Sequence, residues 1–101
     1  MLGDLRVKDL YQSYYNVLNE SFCKPVESRY FQGGFALLGF YKGLELLLYY
    51  DLRCASFDCS IFSTSSDDDF RVDINITYAQ KHFTEEKFKK IIVTLKALQD
   101  L

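Results

Sequence analysis

Carboxylates are the residues of this chain whose types and spacing most invite chemistry. Three stand in a row at Asp67-Asp68-Asp69, Asp73 follows closely, and Glu45, Asp51 and Asp58 precede them. Two carboxylates in unlike surroundings can divide general acid and general base work, and Asp58 with Asp73 is the pair to consider. Consecutive aspartates can also attract Ca²⁺ or Mg²⁺. Adjacent side chains, however, do not match the alternate ligand spacing of an EF-hand loop, so a solvated acidic run with no metal is expected.

The other chemical candidates are sparser. Cys23, Cys54 and Cys59 form no C-x-x-C and have no second ligand pair, so a zinc site lacks donors. On one regular strand Cys54 and Cys59 fall on opposite faces, and all three cysteines are expected as small buried hydrophobes. His82, the only histidine, stands two residues before Thr84 in a linker, and no pattern in the chain brings a thiol to it. There is no Gly-x-Ser-x-Gly, and Gly33-Gly34 is not a glycine-rich loop leading into a helix. Neither an enzyme nor a cofactor is expected. Recognition is what remains for the carboxylates: steering a basic partner and pairing with its Lys and Arg side chains.

The distribution of charge supports that use. Between Glu45 and Asp73 seven acids face only Arg53 and Arg71, whereas five lysines against three acids occupy the stretch after Ala79. Nucleic-acid binders carry a basic field, and the centre of this chain has the opposite sign, so no nucleic-acid partner is expected. The net charge of −2 conceals this asymmetry.

One hundred and one residues make a single domain, 1–101, and a hydrophobic fraction of 49% argues against disorder. The odd cysteine count and the absence of a visible signal peptide lead to the expectation of a reducing, cytoplasmic compartment. The longest apolar run, Leu44 to Tyr50, contains Glu45 and is far too short for a bilayer, so no membrane partner is expected.

Which elements would position the carboxylates follows from hydrophobic period. Phe70, Val72, Ile74, Ile76 and Tyr78 alternate with Arg71, Asp73, Asn75 and Thr77, the pattern of a strand with one core face and one wet face. Leu44, Leu46, Leu48, Tyr50 and Leu52 are apolar at even positions, but Ala55, Phe57, Cys59 and Ile61 are apolar at odd ones. A regular strand cannot switch face, so a bulge or tight turn is predicted between Leu52 and Ala55. Lys42-Gly43 reads as a hairpin turn joining 35–41 to 44–52; the rival is one buried helix over 35–52, which Gly39 and Gly43 would weaken. Ser63 to Asp68 reads as a loop.

Helices are predicted at both ends. Behind an Asp4 cap, Val7, Leu10, Tyr11, Tyr14, Leu18 and Phe22 share one helical face, and Pro25 ends that helix near Ser21–Cys23. Tyr15 lies at the stripe's edge. Thr84 caps the last helix, Glu85 and Glu86 favour its positive end, and Phe83 with Phe88 has the spacing of a hydrophobic staple. Its buried stripe is Phe88, Ile91, Ile92, Leu95 and Leu98, with Lys87, Lys89, Lys90 and Lys96 outside. The fold class is α+β, an antiparallel sheet of about four strands with both helices on one face, in the order α-β-β-β-β-α.

In that arrangement Glu45, Asp51, Asp58 and Asp73 share the open face with Leu47 and Tyr49, and Asp67, Asp68 and Asp69 lie at one end of it. Mixed apolar and acidic groups make an interface. In size, acidity and lack of catalytic motifs the chain resembles the small bacterial immunity proteins that neutralise nuclease toxins, including those of contact-dependent growth inhibition. The resemblance implies a basic toxin domain as partner, bound by a monomer through Glu45, Tyr49, Asp51, Asp58, Asp67, Asp68, Asp69 and Asp73. Type III secretion chaperones, small acidic homodimers, are the second likeness; their topology needs a helix between strands, which only residues 35–52 could supply.

Overall fold

The computed structural model describes residues 2–21, 27–63 and 73–100. Among these, α1 (Leu2–Ser21) is followed by five strands, β1 (Glu27–Phe31), β2 (Gly34–Tyr41), β3 (Leu44–Asp51), β4 (Ser56–Ser63) and β5 (Asp73–Ala79). A short 3-10 turn, Gln80–His82, leads into α2 (Glu85–Gln99). The strands form one antiparallel sheet in simple sequential order. The fold is α+β, as expected, with one strand more than predicted. That strand, β1, reads Glu-Ser-Arg-Tyr-Phe, too short and too polar to show a period of two.

Each connection has a local cause. Lys42 and Gly43 both take positive φ, 45° and 83°, so the β2–β3 hairpin closes on a two-residue turn of the kind that follows strand twist. The stretch 35–52 is therefore a hairpin of β2 and β3, not a helix. The predicted break between Leu52 and Ala55 is a four-residue turn, in which Ala55 takes φ 48° and Asp51 pairs with Ser56 across it. The turn brings Leu52 N–H to the Gly33 carbonyl at 2.8 Å and Gln80 N–H to the Ala55 carbonyl at 2.7 Å.

Both helices pack on one face. Val7, Tyr14, Val17 and Leu18 of α1 and Phe88, Ile92 and Leu95 of α2 meet Phe35 and Leu37 of β2, Leu44, Leu46, Leu48 and Tyr50 of β3, and Phe57 and Cys59 of β4. Aromatic rings fill the centre: Phe57 lies 4.7 Å from Tyr50 and from Phe83, and Tyr14 5.1 Å from Phe57. Offset and tilted rings at these distances add to the area they bury. Tyr15 is half-buried and stacks on Tyr11 at 5.9 Å.

The helix ends carry one correction and one agreement. Asp4 lies inside α1, which begins at Leu2, so it does not cap it. Thr84 does cap α2, its hydroxyl accepting from Lys87 N–H at 3.2 Å, and the staple rings of Phe83 and Phe88 meet at 6.0 Å. At the other end Asp100 accepts from Tyr41 and Lys42, and Gln99 donates to the Lys42 carbonyl. Hydrogen bonds from Lys42 and Tyr41 hold the Asp100 carboxyl below its usual range. Lys96, expected outside, is half-buried with its ammonium 5.3 Å from the centre of the Tyr41 ring.

Two further expectations need correction. Ile74 and Ile76 lie on the helix-side face of β5, but they are 46% and 44% exposed. The helices cross β2 to β4 and leave this edge strand largely bare. Cys54, expected buried, sits exposed in the β3–β4 turn, whereas Cys59 is buried and its thiol is pushed up to about 12 by that burial. Cys23, Phe22, Phe70 and Val72 lie outside the described residues.

Candidate functional site: the open face of the sheet

Because β3 buries its even positions, its odd positions, Glu45, Leu47, Tyr49 and Asp51, face the other way. Register carries this to the neighbours. Leu47 stands between Leu38 and Ser60, Tyr49 between Ala36 and Asp58, Glu45 between Phe40 and Phe62, and Asp51 between Gly34 and Ser56. On β5, Asp73 faces Phe62 and Thr77 faces Asp58. The structure therefore gathers Glu45, Tyr49, Asp51, Asp58 and Asp73 on one face, as the parity of the sequence predicted. No described element covers that face. Asp67, Asp68 and Asp69 lie outside the described residues.

No two of these carboxylates are direct cross-strand partners, which keeps like charges from repelling at close range. Asp58 and Asp73 stand four residues apart along the strands, roughly 13 Å at the ordinary rise. Carboxylates that flank a single scissile glycosidic bond lie roughly 5–9.5 Å apart, so this pair cannot work on one bond in that way.

Asp58 accepts the Thr77 hydroxyl at 2.6 Å, which fixes its orientation. Asp51 accepts the Arg53 guanidinium at 3.4 Å and the Arg53 backbone N–H at 2.9 Å, and these bonds hold its carboxyl below the ordinary range. Asp51 is thus an ionised acceptor at neutral pH. Asp51 is already partly matched by its neighbour. Glu45 and Asp73, flanking the Phe62 ring, are not drawn into any ion pair among the described residues.

The face also carries more apolar surface than the sequence reading assigned. Leu38, Phe40, Leu47 and Phe62 are all half-buried there, together with Phe31 from β1. Phe31 reaches across Gly34 to Tyr49, with ring centres 5.7 Å apart. Gly34 permits this: a Cβ there would come within 2.7 Å of the Phe31 ring and 2.3 Å of the Tyr50 carbonyl oxygen. Beside that pair lies a shallow groove of about 310 Å³ lined by Glu27, Ser28, Arg29, Ala36, Leu38 and Leu47. The missed signal was in β2, where Phe35-Ala36-Leu37-Leu38 is apolar at both parities. A strand apolar on both faces has a second surface to cover.

Elsewhere the chemistry is thin. A larger hollow of about 570 Å³ at the β3–β4 turn is lined by Cys54, Ala55, Ala79, Gln80 and Lys81, without a carboxylate. His82 is exposed and offers its backbone carbonyl to the Lys87 ammonium at 2.6 Å. Among the described residues no three His, Cys, Asp or Glu side chains gather as metal ligands, and no helix is long and apolar enough to cross a membrane. Comparison with protein-family models, with curated proteins and with solved structures gives no match to this chain.

Proposed function

We propose that this protein is an interaction module that binds a basic protein on the open face of its sheet, in the manner of an immunity protein neutralising a nuclease-type toxin. One observation carries the reading. Glu45, Asp51, Asp58 and Asp73 are interleaved with Leu38, Leu47, Tyr49 and Phe62 on a sheet face that no described element covers. Apolar and aromatic groups there supply the desolvated centre of an interface, while the carboxylates attract and orient Lys and Arg of the partner. A nuclease active site, built to hold phosphates, offers the complementary basic cleft. The chain acts by occupancy, not by turnover, in the cytoplasm where such a toxin acts, and needs no cofactor. Asp67, Asp68 and Asp69 extend the acidic field next to Asp73 in sequence and contribute to steering.

The chaperone alternative loses its structural support, since residues 34–51 form a hairpin where that topology needs a helix. The test is capture of the partner from the native host at low and high salt, followed by nuclease assay of the retained protein. A basic partner whose nuclease activity this chain suppresses one-to-one is expected. Reversal of Asp67, Asp68 and Asp69 to lysine should slow association at low salt with the fold unchanged. A partner that is acidic, or that keeps full activity when bound, would end the toxin-neutralising reading.

A further inference from the structure

Antiparallel pairing lays the open face of β2 to β5 out in rows, one residue from each strand. Partners in a row share a face, with Cβ atoms about 4.5–5.5 Å apart. In the row of Gly34, Asp51, Ser56 and Ala79, the carboxylate is engaged by Arg53. In the row of Ala36, Tyr49, Asp58 and Thr77, it is engaged by the Thr77 hydroxyl. The row of Leu38, Leu47, Ser60 and Asn75 carries no charge. The remaining row alternates: Phe40, Glu45, Phe62, Asp73. Of these rows it alone sets an aromatic ring between two carboxylates.

We propose that Glu45, Phe62 and Asp73 form a subsite for an arginine side chain of the basic partner, with the guanidinium lying on the Phe62 ring and one edge turned toward each carboxylate. The inference rests on the docking reading above and names the residue type that the open face selects. Phe62 is half-buried and Asp73 exposed, so the row is open to an incoming side chain. Glu45 and Asp73 stand two strands apart, roughly 10 Å between Cα atoms at the ordinary strand spacing. A lysine ammonium is a compact point charge that settles on one carboxylate. A guanidinium is planar, carries donors along two edges and stacks on aromatic faces.

The hairpin tip shows the same chemistry satisfied within the chain. There the Lys42 ammonium lies 5.5 Å from the centre of the Tyr41 ring and bonds to Asp100, and Lys96 lies 5.3 Å from the same ring. On the open face the ring and the carboxylates are in place, and among the described residues no cation of the chain pairs with either carboxylate. Charge and ring together call for a cation from the partner, and the span between the carboxylates calls for arginine.

The test is a titration of the isotope-labelled native chain at low salt with acetylated tri-arginine and tri-lysine amides, which are equal in charge. Tri-arginine is expected to bind about five-fold more tightly, the worth of one exposed cation–π contact, with amide shifts centred on Glu45, Phe62 and Asp73. Phe62→Leu keeps an apolar side chain but removes the π face, and should bring the two peptides to equal affinity. Should that variant not fold, Asp73→Asn at an exposed position serves instead and should narrow the advantage of tri-arginine. Equal affinities in the native chain overturn the arginine subsite, as does a preference for arginine that survives these substitutions. In either case, shifts that fall on Leu47, Tyr49 and Asp58 leave the docking reading standing. If neither peptide shifts any amide of the open face, both readings fall.

Discussion

The two faces of β3 are built from one run of eight residues and serve opposite ends. Leu46, Leu48 and Tyr50 on the helix side are at most 1% exposed, while Glu45, Leu47, Tyr49 and Asp51 on the other side remain half-buried. Alternation with period two is what allows this: stability is held at even positions and surface chemistry at odd ones, with no residue serving both. Leu47 and Leu48 are neighbours in sequence and chemically identical, yet they have different work.

That contrast is sharpest in a paired substitution. Leu48→Ala should cost about 2–5 kcal/mol, because the removed methyls leave a cavity beneath both helices. Leu47→Ala should cost no more than about 1 kcal/mol and should instead weaken partner binding. Thermal unfolding of the two variants measures the difference. Equal losses would mean that the open face is covered as the core is.

Gly34 is where the two faces meet. Gly34→Ala drives a Cβ against the Tyr50 carbonyl and the Phe31 ring. A loss of about 2 kcal/mol or more is expected from the backbone clash, with Phe31 displaced from Tyr49. An unchanged unfolding midpoint in urea would show that the sheet yields there at no cost.

Alkaline titration probes the covered face through two of its buried groups. Burial pushes the Cys59 thiol up to about 12, and burial, with Glu85 adding to it, raises the Tyr14 phenol to about 12. Both groups stay protonated in the folded chain after they have ionised in the unfolded one. The unfolded state therefore binds fewer protons, and stability falls as pH rises from the ordinary thiol value near 9 through 12, by at most about 1.4 kcal/mol per pH unit per group. Cys59→Ala should remove the earlier part of that slope. A slope that persists between pH 9 and 10 in the variant would assign it elsewhere.

A smaller effect belongs to the cap of α2. Thr84→Ala removes the acceptor for Lys87 N–H and should cost about 1 kcal/mol, with Thr84→Ser restoring most of it. Because the cap lies far from the open face, binding should not change.

Much of this was legible in the sequence where a physical period existed. The parity switch after Leu52 located the β3–β4 turn, Lys42-Gly43 located the hairpin, and Thr84 with Phe83 and Phe88 located the start of α2. The same parity placed Glu45, Tyr49, Asp51 and Asp58 on one face. What failed lacked a local signal. β1 is too short and polar to show alternation, so its pairing with β2 is a tertiary fact. Ile74 and Ile76 alternate as core residues do, but whether a helix reaches an edge strand depends on packing across the whole sheet. Phe31 joined the open face only because Gly34 leaves room for its ring.

The most direct test of the account is partner capture with the native chain and with Glu45→Lys/Leu47→Ala/Tyr49→Ala, which alters one face of β3 and spares the other. The account predicts a basic protein retained by the native chain, more weakly at high salt, and lost by the variant, whose unfolding midpoint should fall only modestly. The same protein retained equally by both would contradict it, and would place binding away from the open face.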